Sequence, residues 1–347
     1  MMLQLIKPKG LKRGDKVATI SLSWGGAGEL LGRYQQGKRQ LQTAFGLEVV
    51  ETRYALKSAE WLYNHPQARA QDLMEAFADP TIKAIISNIG GEESSRILRY
   101  VDEAVIQQNP KIFLGFSDST VTHLLCLQAG ITSFYGTSLL VGFAENGGMH
   151  PYQIADIQQT LFAVQPLGEI HPNRAGWTSE LLDWSDPSLQ HTPRKLTPTA
   201  GWHFLQGTKT TQGRLLGGCM ETLESLKGTR LWPHPDQWRD CILFLETSEV
   251  KPKPDYVRWW LRNYAEQGIL HNVQGILFGR PCDNTYAQEY ETALLTVLEE
   301  EGLTDLPVIT QMDFGHTCPV FTLPYGILAE IDCASRTFRL LESGVGA

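Results

Sequence analysis

The residue best placed for nucleophilic chemistry in this 347-residue chain is Ser117, between an apolar, strand-like run and a helix-like run. A serine at a tight strand-to-helix turn is held clear of the backbone, and N–H groups of the following helix face the negative charge that develops beside it. The glycine that usually lies two residues after such a serine is replaced by Ser119. Asp118, Ser119 and Thr120 could therefore also be an ordinary helix cap.

A serine hydroxyl becomes a good nucleophile when a base takes its proton, and a carboxylate usually orients that base. Of the nine histidines, His316 follows a predicted strand and a glycine, which suits a side chain at a cleft. The alternative is a loop histidine bonded to backbone. Glu246 ends an apolar run, where its charge must be paired or hydrogen-bonded. The alternative there is a surface glutamate at a strand end.

The elements that must position these residues alternate along the first half of the chain. We predict strands at 16–22, 47–50, 84–87, 111–114 and 131–135, and helices at 33–45, 68–77, 95–102 and 121–129. This alternation predicts an α/β fold with a parallel sheet covered on both faces. Sites in such sheets form at the carboxyl ends of strands, where both Gly90-Gly91 and Ser117 fall.

Composition excludes several classes of partner. The net charge of −8 argues against a nucleic-acid or anionic-membrane partner, because both need a basic face. No apolar run approaches the length of a membrane span, and the N-terminus lacks the features of a secretory signal. The six cysteines lie far apart and are typical of a reduced, cytoplasmic protein.

Nothing in the sequence calls for a cofactor. No two histidines or cysteines have metal-ligand spacing, so we expect no metal site. Gly25-Gly26-Ala27-Gly28 follows the first predicted strand but lacks the full dinucleotide-binding spacing, and a flexible turn is the simpler interpretation. The segment from about 151 to 211 is rich in proline, tryptophan and polar residues without periodicity, which indicates a connecting region with a loop over the site.

Six short motifs occur in a shared order and spacing along nearly the whole chain. They are Asn88-Ile89-Gly90-Gly91, Leu114-Gly115-Phe116-Ser117-Asp118, Gly213-Arg214-Leu215-Leu216-Gly217-Gly218, Leu245-Glu246, Gly275-Ile276-Leu277-Phe278-Gly279-Arg280 and Phe314-Gly315-His316. Together they resemble the LD-carboxypeptidase family of serine peptidases. Trp177-Thr178-Ser179-Glu180, Asp183-Trp184 and Gly201-Trp202 are more similar to its microcin C self-immunity branch than to its murein-recycling branch.

The resemblance implies a Ser-His-Glu triad of Ser117, His316 and Glu246, with an oxyanion hole from the N–H groups of Gly91 and Asp118. It also implies a Rossmann-like or flavodoxin-like N-terminal domain, a smaller β-rich C-terminal α/β domain, a site in the cleft between them, and a homodimer. We expect an N-terminal nucleophile domain at 1–165, a connecting segment with a substrate loop at 166–210, and a C-terminal domain at 211–347.

The implied substrate is a small peptide or an aminoacyl nucleotide, as in microcin C-like self-immunity. A murein tetrapeptide LD-carboxypeptidase is the alternative, and a non-peptidase amidase or esterase and a binding protein are further ones. Trp177 and Trp184 are candidates for stacking on a nucleobase, although packing is the simpler expectation. Glu92 and Glu93, beside the oxyanion turn, would repel a substrate carboxylate.

Overall fold

A computed structural model describes residues 5–347, so the first four residues of the predicted N-terminal domain lie outside the described residues. The strands are β1 Lys16–Ile20, β2 Glu48–Glu51, β3 Ile82–Ser87, β4 Ile112–Gly115, β5 Phe134–Tyr135, β6 Gly168–Ile170, β7 His203–Gln206, β8 Thr210–Cys219, β9 Cys241–Glu246, β10 Gly275–Gly279, β11 Val308–Met312, β12 Leu323–Pro324, β13 Leu328–Asp332 and β14 Thr337–Leu340.

The α-helices are α1 Gly26–Glu29, α2 Leu31–Phe45, α3 Ala59–Asn64, α4 Pro66–Ala78, α5 Glu103–Gln108, α6 Thr120–Gln128, α7 Pro151–Ile157, α8 Met220–Leu226, α9 Pro254–Glu266, α10 Ile269–Asn272 and α11 Ala287–Glu300. The sequence of α9 shows why such a helix forms. In α9, proline occupies the first turn and Val257, Leu261 and Tyr264 repeat on one buried face. None of the helices in 5–347 combines the length and apolar character needed to cross a membrane.

The first sheet has the strand order β12-β5-β4-β3-β1-β2, in which β1 to β5 are parallel and β12 is antiparallel. The order 2-1-3-4-5 is that of a flavodoxin-like doubly wound sheet, so the α/β prediction is confirmed. Its topological switch lies between β1 and β3, at whose carboxyl ends ligands bind in such folds. The Gly90-Gly91 turn follows β3 at this edge.

The second sheet is mixed and has the order β6-β14-β13-β8-β9-β10-β11-β7, in which β8 to β11 are parallel. Its outermost strands, β6 and β7, both come from the predicted connecting segment 166–210. Conversely, β12 belongs to the C-terminal part of the sequence but pairs with β5 of the first sheet. Each sheet therefore contains strands from outside its own stretch of sequence.

The core explains how the two sheets are held together. On one face of the first sheet, Ile20 and Phe113 pack in the same buried cluster as Leu215 and Phe244 of the second sheet. The other face packs in a separate cluster with α2. Because both faces are covered, the strands are almost continuously apolar, as expected for parallel strands.

Three local predictions differ from the structure. The strand predicted at 131–135 is reduced to β5, because Ile131 forms only an isolated bridge with Ile6. The helix predicted at 95–102 is a 3₁₀ helix, Ser94–Tyr100, whose first residue is bound by the Ser117 turn. Short elements such as α3, α5, β6 and β7 were not predicted, since three to six residues carry too little periodicity.

Candidate active site

The turn that carries Ser117 connects β4 to α6 through one 3₁₀ turn, Ser117–Ser119. Ser117 has φ +60°, a left-handed conformation that costs a residue other than glycine about 1–3 kcal/mol. Two hydrogen bonds hold it there: its N–H donates to Tyr135 Oη at 3.1 Å, and Thr120 Oγ1 donates to its carbonyl at 2.7 Å. The strained backbone presents the Ser117 hydroxyl at the carboxyl edge of the first sheet.

The second sheet supplies the two other predicted residues. His316 Nε2 lies 3.0 Å from Ser117 Oγ, and His316 Nδ1 lies 2.7 Å from Glu246 Oε2. Glu246 is the last residue of β9 and is fully buried, while His316 follows β11 and has 9% of its side chain exposed. Gly315, at φ +94°, lets the chain pass close to the carboxylate, since a Cβ there would lie 2.8 Å from Glu246 Oε2. The structure thus brings the serine, the histidine and the glutamate into one hydrogen-bonded line.

Tyr135, the last residue of β5, joins the two ends of this line. Its hydroxyl accepts from the Ser117 N–H and donates to Glu246 Oε1 at 2.5 Å. Burial and the charge of Glu246 raise the pKa of Tyr135 well above its usual value, so the phenol keeps its proton and remains a donor. Glu246 therefore has one oxygen on Tyr135 and the other on His316, which satisfies a fully buried carboxylate.

The charge state of His316 reflects two carboxylates. Burial of the imidazole disfavours its charged form, but the charges and hydrogen bonds of Glu246 and Glu249 outweigh burial and raise the pKa of His316 to about 10. Glu249 Oε2 lies 3.0 Å from Nε2, the same nitrogen that faces Ser117. The contact with His316 lowers the pKa of the largely exposed Glu249 side chain to about 2.

The turn that contains the predicted oxyanion-hole residue Gly91 meets Ser117 through the preceding residue, Gly90. A Cβ at Gly90 would lie 3.0 Å from Ser117 Oγ and 3.3 Å from the Asp118 nitrogen, so only glycine leaves this space open. Across the described residues 5–347, the Gly91 N–H donates to no protein acceptor. The Asp118 side chain has another role: its Oδ2 accepts from the Ser94 N–H at 2.8 Å, which ties the two turns together.

The two predicted substrate tryptophans lie in separate places. Trp177 is 7% exposed, pairs with Thr197 through its backbone, and has the Arg280 guanidinium 5.1 Å from its ring centroid. Trp184 is half-buried against Arg33, whose guanidinium lies 4.7 Å from the ring centroid, and it lines a cavity of about 320 Å³. Neither this cavity nor the one of about 250 Å³ beside Trp177 is lined by a triad residue.

One group of possible metal ligands that spacing did not reveal includes Cys318, two residues after His316. Donor atoms of Glu145, His150 and Cys318 fall within 4.8 Å of one another. Arg194 Nε already donates to Glu145 Oε1 at 2.8 Å. A metal cation would meet that guanidinium charge at the same carboxylate, so the cluster is better described as a buried ion pair that anchors the segment around Arg194 to the first domain.

Comparison with known sequences decides the family. The pattern of the LD-carboxypeptidase N-terminal domain matches residues 17–136, and that of the LD-carboxypeptidase C-terminal domain matches residues 212–331. The chain belongs to the LD-carboxypeptidase family. It is therefore a hydrolase of the serine peptidase class, and the family predicted from the six motifs is confirmed.

Three curated relatives of the LD-carboxypeptidase family align along almost their whole length. A putative carboxypeptidase of Vibrio cholerae is 27% identical over 99% of this chain and 100% of its own. The microcin C7 self-immunity protein MccF of Escherichia coli is 26% identical over 95% of this chain and 94% of its own. A probable murein peptide carboxypeptidase of Bacillus subtilis is 27% identical over 98% and 95%. Both branches considered from the sequence are thus similar to this chain at comparable identity.

Solved structures of the family share the fold. An MccF-like protein from Streptococcus pneumoniae, in complex with AMP, superposes with a TM-score of 0.86 at 32% identity, covering 94% of this chain and 98% of that one. MccF in complex with glutamyl sulfamoyl guanosine superposes with a TM-score of 0.84 at 25% identity, covering 98% and 100%. The two-domain architecture is that of MccF.

Two residues at the site were missed by the sequence reasoning. Tyr135 was taken only as the end of a strand, although a hydroxyl closing a buried parallel strand at the site's edge was the available signal. Glu249 lies in the loop after β9, and no sequence motif marks it. Its contact with His316 depends on how that loop turns, which no sequence spacing specifies.

Proposed function

We propose that this chain hydrolyses an amide bond through Ser117, His316 and Glu246. The observation that carries the proposal is the continuous line of contacts at 3.0 Å and 2.7 Å between residues that lie 199 and 70 positions apart in sequence. Such a line matches the geometry by which a triad is recognised on unrelated folds. Ser117 Oγ attacks the carbonyl carbon while His316 Nε2 takes the hydroxyl proton, and the Glu246 carboxylate stabilises the imidazolium that forms.

The remaining steps use the same groups. The N–H groups of Gly91 and Asp118 stabilise the tetrahedral oxyanion, each by about 3 kcal/mol. As the carbon–nitrogen bond breaks, His316 returns its proton to the leaving nitrogen, which leaves an ester on Ser117. A water molecule, deprotonated by His316, then attacks the ester and releases the acid and the free serine.

For the substrate we propose a peptidyl or aminoacyl nucleotide, as in microcin C-like self-immunity. MccF relatives are known in complex with glutamyl sulfamoyl guanosine and aspartyl sulfamoyl adenosine. In this chain, the Trp184 ring and the planar guanidinium of Arg33 line a cavity of about 320 Å³, and planar groups of this kind suit a stacked base. A murein tetrapeptide remains the second candidate, favoured by the Bacillus subtilis relative.

The charges beside the oxyanion turn differ in their effect. Glu93 is paired with Arg96 at 2.9 Å, whereas Glu92 is exposed and follows Gly91 directly. The repulsion of a substrate carboxylate expected from both acids therefore rests on Glu92. This arrangement disfavours a substrate with a free C-terminal carboxylate next to the scissile bond.

Location and assembly are also proposals. The six cysteines have no disulfide partners in residues 5–347, which is consistent with a reducing cytoplasm. Tyr256 and Trp259 of α9 are 48% and 52% exposed on one helix face, an unusual position for two large aromatic rings. We propose that this face lies in a homodimer. Light scattering of the wild type and of Trp259→Glu tests it, since a dimer that uses α9 should become monomeric.

The proposed activity is tested by a side-by-side assay on a murein tetrapeptide and an aminoacyl-sulfamoyl adenosine. Ser117→Ala should remove nearly all turnover while thermal unfolding is unchanged, and a fluorophosphonate should add mass to the wild type only. Label on another serine would refute the nucleophile. Faster turnover of an ester than of the matching amide would favour an esterase, and ligand binding without turnover would favour a binding protein.

A further inference from the structure

The loop that follows β9 carries an unusual carboxylate. The backbone of the loop is anchored, since the N–H and the hydroxyl of Ser248 donate to Glu221 Oε1 at 2.9 Å and 2.6 Å, and Lys251 pairs with Asp283. The next side chain along, Glu249, is 70% exposed, yet its Oε2 lies 3.0 Å from His316 Nε2. Glu249 therefore reaches the triad from the solvent side, where a substrate must enter.

This contact opposes the proposed reaction. His316 Nε2 must be unprotonated to take the proton of Ser117, but Glu249 and Ser117 face the same nitrogen. The charged and polar groups around the imidazole are Glu246 at Nδ1 and Glu249 and Ser117 at Nε2. The apolar ring of Phe116 also packs against it, with the two ring centroids 5.0 Å apart. With two carboxylates and no cation among them, the imidazole is held in its charged form, and the general base is blocked.

A cationic group on the substrate would remove the block. We propose that Glu249 is a specificity residue that binds an ammonium group on the carbon next to the scissile carbonyl, and that this ion pair withdraws the carboxylate from His316. The proposal rests on the proposed amide hydrolysis and names the acyl group it selects. Binding of the correct substrate then frees the base, and no covalent chemistry beyond the hydrolysis is required.

The distances agree with this assignment. Because both contacts share Nε2, Glu249 Oε2 lies at most twice 3.0 Å from Ser117 Oγ. A carbonyl carbon in position for attack lies about 3–3.5 Å from the nucleophile. The nitrogen on its neighbouring carbon is about 2.5 Å further away along the acyl group. An ammonium group there is within contact range of Glu249 as the carboxylate swings off the imidazole.

The proposal separates the two substrate candidates. An aminoacyl nucleotide has a free α-amine next to the scissile carbonyl, and that amine is an ammonium at neutral pH. In a tetrapeptide that loses its last residue, the residue before it is internal, so its α-nitrogen is an uncharged amide. Glu249 should therefore favour the aminoacyl nucleotide over the tetrapeptide, and also over a peptidyl nucleotide, whose α-nitrogen beside the scissile carbonyl is likewise an amide.

The experiment compares aspartyl-sulfamoyl adenosine with its N-acetyl derivative, using the wild type, Glu249→Gln and Glu92→Gln. The wild type should favour the free amine in kcat/KM by at least about tenfold, the equivalent of one pKa unit on the base. Glu249→Gln should lose this preference and hydrolyse the acetylated compound faster than the wild type does. Glu92 is a matched control, an exposed acid near the site without a contact to His316, and its variant should keep the preference.

Binding gives a second measurement that does not need turnover. Calorimetry with Ser117→Ala should show tighter binding of the free amine, and the double variant Ser117→Ala/Glu249→Gln should bind both compounds equally. The proposal is overturned if Ser117→Ala does not distinguish the compounds, or if the preference survives Glu249→Gln. Absence of turnover in the wild type would instead refute the proposed function and leave the calorimetric result to decide on Glu249.

Discussion

Replacing Tyr135 by phenylalanine tests whether the triad depends on the hydroxyl that joins its two ends. The change removes the acceptor of the Ser117 N–H and the donor to Glu246 Oε1, at 3.1 Å and 2.5 Å, and keeps the ring. The ring packs against His123 and Phe244, with centroids 5.4 Å away in both cases. The variant should therefore fold with the same core and lose only the two hydrogen bonds.

The expected losses of stability and activity in Tyr135→Phe follow from these two hydrogen bonds. A hydrogen bond to a charged group contributes roughly 1.5–3 kcal/mol and a neutral one roughly 0.5–1.5 kcal/mol, so the free energy of unfolding should fall by about 2–4.5 kcal/mol. If the bond to Glu246 acts through the orientation of His316, its loss should lower kcat about 10–100-fold with little change in KM. Without the Tyr135 donor, Glu246 binds the imidazolium more tightly, which raises the pKa of His316. The acid limb of the kcat/KM profile should then move to higher pH.

Tyr325→Phe is the matched control. Tyr325 is equally buried, stacks on His123 with centroids 5.0 Å apart, and donates to the Gly217 carbonyl without touching the triad. It should lose stability while keeping the wild-type pH profile. The reasoning is refuted if Tyr135→Phe, measured where both variants are fully folded, has the kcat and pH profile of Tyr325→Phe.

The remaining predictions concern the triad and the tryptophans. His316→Ala added to Ser117→Ala should cost little more activity than either change alone, because triad members act as a unit; additive losses would show separate roles. Since the pKa of His316 is raised from 6.5 to about 10, its contribution to stability is complete below pH 6.5 and is lost as the pH rises toward 10; urea unfolding across that range should show a fall in the wild type that is smaller in Glu246→Gln, where only Glu249 still stabilises the imidazolium. Trp184→Ala should weaken turnover of a nucleotide conjugate and spare a short peptide, whereas Trp177→Ala should lower the melting temperature; equal losses on both substrates from Trp184→Ala would assign that residue to packing.

The parallel sheet and the triad candidates could be predicted because their signals are local. An apolar strand, a turn and a helix identify Ser117, and a charge at the end of a buried strand identifies Glu246. The contact between them could not be predicted from the residues alone, since it depends on how the second sheet packs on the first. The resemblance to a family supplied that step.

Residues that act through tertiary contacts were the ones missed. Tyr135 lies 18 positions from Ser117 and 111 positions from Glu246, the two triad residues that it contacts. Glu249 reaches His316 through a loop whose turn is fixed by Glu221 and Asp283. The buried cluster of Glu145, His150 and Cys318 was missed for the same reason, because its members lie up to 173 positions apart. Spacing along the chain carries no information about such groups.

Strand β12 makes the two sheets depend on each other, although the sequence divides into two consecutive domains. The chain leaves the second sheet after His316 and returns to the first sheet at Leu323, where it covers the edge of β5, the strand that ends in Tyr135. A fragment that ends before this return would expose the β5 edge, and a fragment that begins after residue 211 would lack β6 and β7 at both margins of its sheet. The two family domains, 17–136 and 212–331, thus mark regions of shared ancestry, and neither range contains all the strands of its own sheet. Expressed alone, either domain of this chain should expose an unpaired strand edge, so an exchange of domains should include the crossing strands together with the sheets whose edges they cover.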